Sequence, residues 1–127
     1  MRLLLDSHAF LWWVGGTRGL SARARKAIGS PRNECYLSHA SVWEMAIKAA
    51  LGKLRLPVPV AKFVVQECER NAFGLLPLSL QHVTAIEHLP MHHRDPFNRL
   101  LVVQAQLEGM TLVSRDRSLS EYGIKVL

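Results

Sequence analysis

The amino-acid sequence predicts an α/β protein in which a central parallel sheet is wound with helices. Short apolar segments that suit buried strands alternate with longer segments of helical spacing along the chain. The first of these strands, Leu3-Leu4-Leu5, has no polar residue on either face, which is typical of a strand buried on both sides of a parallel sheet. Asp6 follows it directly, at the edge where ligand chemistry collects in open α/β sheets.

The bulk composition is that of a folded, basic protein. A chain of 127 residues fits one domain, and its hydrophobic content of 49% excludes a disordered protein. No apolar run approaches the roughly 20 residues of a membrane span, and the N-terminus lacks the pattern of a signal peptide, so we expect a soluble, cytoplasmic protein without membrane contact. The net charge of +6 favours a polyanionic partner such as nucleic acid. Cys35 and Cys68 have neither disulfide nor zinc spacing, and we expect both to be small buried residues.

The first half of the chain predicts strands and helices in alternation. Its elements are the strand over residues 3–5, a helix over residues 8–14, a basic helix over residues 22–29, a strand over residues 34–38 and a helix over residues 39–51. Ser21 is the predicted N-cap of the basic helix, and glycines end each helix. The apolar face of the helix over residues 39–51 is expected to lie in the core and consists of Ala40, Trp43, Ile47 and Ala50.

The second half continues the alternation. Its predicted elements are a helix over residues 60–71, a strand over residues 74–78, a helix over residues 80–88, a helix over residues 97–108, a strand over residues 110–114, a helical turn over residues 118–121 and a last strand over residues 123–127. Asp95-Pro96 is a strong helix start, because an acidic N-cap is followed by proline at the first helical position.

Four of the ten acidic residues fall at equivalent places in this pattern. Asp6 and Asp116 each follow a strand, Glu44 lies in the helix after the second strand, and Asp95 opens a helix. In right-handed βαβ units the strand ends and helix starts share one edge of the sheet, so these side chains could converge. Three of the four also have a plain structural explanation. Asp6, or Ser7 next to it, and Asp95 could simply cap a helix, and Glu44 could pair with Lys48 one turn later.

Convergence of these acids would create a metal site. Clustered carboxylates raise one another's pKa unless a cation neutralises them, and all-oxygen sites suit Mg²⁺ or Mn²⁺. Such an ion can activate water and bind a phosphate oxygen, as hydrolysis of a phosphodiester requires. A basic surface around an acidic cleft would hold the polyanionic substrate.

Four stretches of the chain resemble the PIN-domain ribonucleases, in particular VapC-like toxins of bacterial toxin–antitoxin pairs. They are Leu3–Trp13, Ser41–Leu54, His92–Leu101 and Gly109–Asp116, in the order of the family. The resemblance implies one PIN-like domain over residues 1–127, built as a three-layer α/β/α sandwich with a central parallel sheet. It also implies Mg²⁺- or Mn²⁺-dependent endoribonuclease activity with a metal-bound water as nucleophile. A cognate antitoxin and a homodimer are the partners that it implies.

The resemblance assigns catalytic roles to Asp6, Glu44 and Asp116, and the third acid is where this chain departs from the family. Relatives with this loop usually have a second acid three residues after Asp95, where this chain has Asn98. Asp95 could serve as a ligand, Asn98 could contribute a neutral oxygen, or Asn98 could mark a weakened protein. The expected catalytic set is Asp6, Glu44, Asp95 and Asp116, and the expected metal set adds Asn98.

Several residues beside these acids are candidates for contact with RNA or for support of the ligands. They are Ser7, Ser114, Arg94, Arg99 and Arg115. His92 and His93 are expected to face solvent and stay outside the catalytic set. We expect Trp43 to pack in the core, and Trp12 or Trp13 to be partly exposed at a partner surface. The alternative function is a PIN-like module that binds RNA or an antitoxin without efficient cleavage.

Overall fold

A four-stranded parallel sheet forms the centre of the computed structural model, which describes all 127 residues. Its strands are β1 (Arg2–Leu5), β2 (Glu34–Ser38), β3 (Gly74–Leu76) and β4 (Thr111–Val113), in the spatial order β3-β2-β1-β4. Leu4 of β1 pairs with Tyr36 of β2 on one side and with Leu112 of β4 on the other. The predicted parallel α/β sheet is therefore confirmed, with the Asp6 strand in its middle.

Six α-helices and two 3₁₀ helices connect these strands. They are α1 (Ser7–Gly15), α2 (Ala22–Gly29), α3 (His39–Ala50), α4 (Val60–Asn71), α5 (Leu80–Ala85), α6 (Pro96–Glu108) and the 3₁₀ helices Ile86–His88 and Arg117–Tyr122. The helix predicted over residues 80–88 is thus α5 followed directly by the first 3₁₀ helix. Ser21 caps α2 by accepting a hydrogen bond from the backbone N–H of Ala24, as the sequence predicts. None of these helices combines the length and the apolarity that crossing a bilayer requires.

The sheet separates two hydrophobic cores, and β1 supplies side chains to both. Leu3 and Leu5 pack on one face with α1, α2 and α4, whereas Leu4 packs on the other face with α6 and the second 3₁₀ helix. All three leucines are fully buried, because successive side chains of a strand point to opposite faces and both faces are covered. This arrangement is the predicted α/β/α sandwich.

The core-facing side of α3 differs from the sequence prediction. Trp43 is 53% exposed and Ile47 is 38% exposed, and the buried residues of this helix are Ala40, Ser41 and Met45. The prediction was wrong because α3 is apolar around more than half of its circumference, so helical spacing alone does not select one face. Trp43 instead makes an edge contact with Phe97 on the surface, with a distance of 5.0 Å between ring centroids.

The predicted last strand, residues 123–127, is reduced to one parallel bridge between Val126 and Leu112. Backbone hydrogen bonds from Leu112 to Lys125 and from Ser114 to Leu127 hold this segment beside β4. This extended segment covers the edge of β4 that would otherwise be open.

Both cysteines are free and buried, as predicted, and both should be unreactive in the folded protein. Burial raises the pKa of the Cys35 thiol to about 11 and also raises that of Cys68. Because the thiolate is the reactive form, iodoacetamide at pH 8 should leave both residues unmodified until the chain is unfolded. Mass spectrometry of native and urea-treated samples measures this, and equal labelling rates in the two samples would contradict it.

Candidate active site

A cleft of about 370 Å³ opens at the carboxyl edge of the sheet, beside the ends of β1 and β4. All five residues of the expected metal set line it, and they share it with two serines, an arginine, a histidine and a tryptophan. The lining residues are Asp6, Ser7, His8, Trp12, Glu44, Asp95, Asn98, Ser114, Arg115 and Asp116. Four acidic residues from separate parts of the chain thus meet in one depression of a protein whose net charge is +6.

Asp6 is the most buried of these acids, with 8% of its surface exposed. Its Oδ1 accepts a hydrogen bond of 2.7 Å from the backbone N–H of Ala9, so Asp6 caps α1 and lines the cleft at once. Burial raises the pKa of this carboxyl above its usual value, and the nearby Glu44 adds to the rise, although the bonds from Ala9 and Ser114 oppose it. A buried anion with incomplete compensation favours binding of a cation.

Glu44 reaches the cleft from the first half of α3, where two neighbours hold its carboxylate. The hydroxyl of Ser7 donates a hydrogen bond of 2.7 Å to Oε1, and Lys48 Nζ lies 3.2 Å from Oε2. The predicted pairing with Lys48 therefore coexists with a position in the cleft. Ser7, the first residue of α1, thus ties this helix to Glu44.

Asp95 is the N-cap of α6 and, like Asp6, lines the cleft as well. Its Oδ1 accepts hydrogen bonds from the backbone N–H groups of Phe97 at 2.8 Å and Asn98 at 3.2 Å. Both bonds use the same oxygen, so they fix the carboxylate at the cleft edge. Asn98 lies in the first turn of α6 and presents a neutral amide to the same depression.

Asp116 is held by two side chains, one of which sequence reasoning excluded. The Ser118 hydroxyl donates to Oδ1, and Nε2 of His93 lies 2.6 Å from Oδ2. The hydrogen bond from Ser118 lowers the pKa of Asp116, and His93 lowers it further. The expectation that His93 faces solvent was wrong. His93 lies two residues before the helix cap Asp95, and its Nδ1 accepts a hydrogen bond of 3.3 Å from the backbone N–H of Asp95. This proximity to a helix cap is the sequence signal that could have predicted a structural role for His93.

Arg99 does not reach the cleft, contrary to expectation. It is buried, and its guanidinium donates to the backbone carbonyls of Leu89, Pro90 and His93 and to the hydroxyl of Tyr122. The same Tyr122 hydroxyl accepts a bond of 2.8 Å from the backbone N–H of His93. Arg99 therefore stabilises the loop that carries His93. Its position in the helical repeat places Arg99 on the inner side of α6.

The other two arginines remain at the surface near the acids. Arg94 is exposed and lines a shallow depression next to Glu44 and Asp95, outside the cleft itself. Arg115 lines the cleft, and its guanidinium carbon lies 5.7 Å from the ring centroid of Trp12. Arg115 is thus the positive group best placed to meet a phosphate at this site.

The cleft offers the oxygen ligands that a hard divalent cation prefers, from four carboxylates and one amide. No three acidic, imidazole or thiol side chains of the structure lie close enough together to hold one ion. The cap bonds of Asp6 and Asp95 and the contacts of Asp116 hold these side chains apart. An ion held by more than two of the acids therefore requires some of them to rotate.

Together, these features define a class: an α/β/α protein with an acidic cleft at the carboxyl edge of its parallel sheet. A model of the PIN domain family matches residues 3–125, and the chain belongs to this family. It is 31% identical over 121 residues to Ribonuclease VapC22 of Mycobacterium tuberculosis, covering 94% of this chain and 91% of the relative. The family resemblance stated from the sequence is thereby confirmed.

Solved structures with this fold are more distant in sequence. VapBC2 from Rickettsia felis, bound to a DNA fragment from their promoter, matches with a TM-score of 0.73 and 11% identity over 100% of this chain and 98% of that chain. FitAcB from Neisseria gonorrhoeae matches with a TM-score of 0.65 and 18% identity over 98% and 96%. At these identities the likeness establishes the fold alone.

Proposed function

We propose that this protein is a metal-dependent endoribonuclease and the toxin of a toxin–antitoxin pair, acting on RNA in the cytoplasm. The observation that carries the proposal is the meeting of Asp6, Glu44, Asp95 and Asp116 in one cleft of a basic protein. Membership of the PIN domain family and 31% identity to a ribonuclease support it. The acidic cleft suits a metal ion, and the net charge of +6, with Arg94 and Arg115 beside the acids, suits a polyanionic substrate.

In this proposal Asp6, Glu44, Asp95 and Asp116, together with Asn98, would supply the oxygen ligands of Mg²⁺ or Mn²⁺ once some of these side chains rotate toward the ion. When bound, such an ion polarises the phosphodiester and makes water a stronger nucleophile. Ser7 holds the Glu44 carboxylate through its hydroxyl, and His93 and Ser118 hold the Asp116 carboxylate. Arg115 binds a phosphate of the substrate at the cleft edge.

A cognate antitoxin and a second copy of the chain are the protein partners that we propose. Trp43 and Ile47 are exposed at successive turns of α3, and with Leu51, the exposed C-cap residue of this helix, they form an apolar row on the surface. Apolar rows of this kind typically mark protein contacts. Because Glu44 lies on the same helix, a protein bound to this row would also lie beside the acidic cleft.

The test of the proposal is a cleavage assay with structured RNAs in Mg²⁺, Mn²⁺ or EDTA. We expect fragments in either metal and none in EDTA, and a loss of at least about a hundredfold in Glu44→Gln, since removal of groups that merely orient a metal ligand already costs 10–100-fold. Glu69→Gln, which removes the same charge from the exposed surface of α4, should cleave normally. Cleavage that persists in EDTA or is equal in Glu44→Gln would contradict the proposal.

The second candidate is a PIN-like module that binds RNA or an antitoxin without efficient cleavage. Asn98 is the observation that favours it, because its amide lines the cleft without a negative charge at a position where the family resemblance implies an acid. The same assay separates the two candidates. RNA binding without metal-dependent fragments would support the module and contradict the nuclease.

Asn98→Asp should tighten metal binding by roughly tenfold, because affinity for hard cations rises with the number of charged ligands. Isothermal titration with Mn²⁺ measures this directly. Gln66→Glu adds the same charge at an exposed position of α4 and should leave the affinity unchanged. If Asn98→Asp binds Mn²⁺ no more tightly than the wild type, the side chain at position 98 is not a ligand.

A further inference from the structure

A second pocket, of about 260 Å³, adjoins the acidic cleft. Its lining combines buried aliphatic side chains, among them Ala9, Leu20 and Val113, with the partly exposed indole of Trp12 and the exposed Arg115 and Arg117. No acidic side chain lines it, in contrast to the cleft next to it. We call it the basic pocket.

The basic pocket and the acidic cleft share a boundary. Trp12, Ser114 and Arg115 line both of them. A polymer bound in the cleft can therefore extend past Arg115 and Trp12 into the basic pocket. Ser114, the third residue of this boundary, is buried.

Trp12 is held firmly in the boundary. Its ring stacks on His8, with a centroid distance of 5.4 Å and an interplanar angle of 21°, and the Arg115 guanidinium lies above it. Gly19 packs so closely that an added Cβ would lie 2.1 Å from Cδ2 of the indole. This contact makes Gly19→Ala a way to displace the indole while every polar group of the pocket is kept.

The lining chemistry matches one nucleotide. A nucleobase is flat and apolar on its faces, and contacts with aromatic side chains are a main source of affinity for single strands. Its phosphates are the anions that arginine binds best. The volume lies below the roughly 300–1,000 Å³ of pockets for drug-sized ligands, and so suits one base rather than a paired segment.

We propose that the basic pocket is a subsite for single-stranded RNA, which receives the nucleotide next to the one whose phosphodiester lies in the acidic cleft. Arg115 binds the phosphate between the two nucleotides, Arg117 binds the next phosphate, and the base packs against Trp12 and the aliphatic side chains. The subsite deepens the proposed function and rests on it. It also makes a separate claim about binding, which does not require catalysis.

A protein segment could also enter an aromatic pocket, but the observations favour RNA. Two arginines without an acidic side chain suit repeated phosphates, and the shared boundary connects the pocket with the cleft. The exposed apolar row on α3 lies elsewhere and offers a protein partner a more suitable surface. Protein binding at the basic pocket is accordingly an outcome that the test below must distinguish.

The test measures binding of a fluorescein-labelled 10-nucleotide single-stranded RNA and of the matching duplex by anisotropy, in EDTA so that metal-dependent cleavage does not interfere. The variants are Arg117→Gln, Trp12→Leu and Gly19→Ala. Arg23→Gln, on the exposed side of α2, is the matched control for charge, and Trp13→Leu, at an indole that lines neither the basic pocket nor the cleft, is the matched control for indole. Circular dichroism verifies that each variant is folded, and Arg117→Gln changes only an exposed residue.

We expect Trp12→Leu and Gly19→Ala to weaken binding of the single strand by about five- to a hundredfold, the range of one base–aromatic contact. Arg117→Gln should reduce the slope of log K against log salt by about 0.7, the value for one phosphate of a single strand. The duplex should bind less tightly to the wild type, and the controls should change neither quantity. The proposal would be overturned if the variants bind the single strand as tightly as their controls do, or if the wild type binds the duplex as tightly as the single strand.

The outcomes also separate this inference from the proposed function. Pocket-dependent RNA binding without any metal-dependent cleavage would refute the nuclease and retain the subsite. Cleavage that is insensitive to the three variants, at substrate concentrations below KM, would refute the subsite and retain the nuclease. RNA binding that is unchanged while the variants lose a co-purifying antitoxin would assign the pocket to protein and overturn the inference.

Discussion

Asp6→Asn should abolish metal-dependent RNA cleavage while it stabilises the metal-free protein. Asparagine caps helices about as well as aspartate, so the bond to the backbone N–H of Ala9 can be retained and α1 keeps its start. The substitution removes a buried negative charge whose pKa is raised by desolvation. Loss of cleavage in a protein that is folded and no less stable distinguishes a metal ligand from a purely structural cap, whose replacement by asparagine would leave cleavage nearly unchanged.

The pH dependence of this gain follows from the direction of the shift. A carboxyl whose folded-state pKa lies above its usual 3.8 binds its proton more tightly in the folded chain. Its stabilising contribution is present below pH 3.8 and is lost as the pH rises through the raised pKa. The Tm difference between Asp6→Asn and the wild type should therefore increase with pH over that window and then level off.

Differential scanning fluorimetry in EDTA and in Mn²⁺ measures both effects. Mn²⁺ should raise the Tm of the wild type, because the ion compensates the buried charge, and should raise that of Asp6→Asn much less. Glu69→Gln is the control for a carboxylate outside the cleft. An equal Mn²⁺ shift in all three proteins would show that the ion binds elsewhere.

Much of the fold was predictable because local signals and burial agree along the chain. The three leucines of β1 predict a strand covered on both faces, and all are fully buried. Ser21 and Asp95 predict helix starts, and each accepts the capping hydrogen bond expected of it. Such features depend on neighbouring residues in the sequence, so the sequence alone is sufficient to place them.

The errors have a common physical origin, since they concern contacts between distant segments. The side of α3 that faces the core depends on what packs against it, and the apolar spacing of Trp43 and Ile47 fits either side. His93 and Arg99 meet their partners across a loop whose path has no periodic signal. Sequence reasoning therefore found the acids at the ends of the elements and missed the groups that hold the loop around them.

The acids of the cleft illustrate why a cap and a functional residue are not alternatives. Asp6, Asp95 and Asp116 each accept a hydrogen bond from the backbone of the helix that follows, and each lines the cleft. Strand ends and helix starts meet at one edge of a parallel sheet, so caps there are necessarily close together. In the metal-free protein the capping bonds hold the carboxylates along the cleft, and an ion shared by more than two of them requires some of these side chains to rotate.

The largest loss of stability is expected for Arg99→Met. Arg99 is buried, forms no ion pair, and donates four hydrogen bonds to the loop over residues 89–93 and to Tyr122. Methionine fills much of the volume but leaves the carbonyls of Leu89, Pro90 and His93 without this donor, at a total cost of about 3 kcal/mol. For a chain of this size that corresponds to a fall in Tm of about 10 °C. Arg94→Met, at the exposed neighbouring arginine, should change stability by less than about 0.5 kcal/mol.

Urea unfolding gives the free energies, and the effect on the site provides a second readout. Without Arg99 the His93 carbonyl loses its donor, and His93 Nε2 should no longer be held against Asp116. In the folded Arg99→Met protein at low temperature, Mn²⁺ affinity should therefore fall along with stability, whereas Arg94→Met should retain both. If Arg99→Met unfolds at the same urea concentration as the wild type, water replaces the guanidinium at these carbonyls, and the loop does not depend on it. A loss of stability with unchanged Mn²⁺ affinity would instead show that the hydrogen bonds of Arg99 maintain the fold but not the position of Asp116.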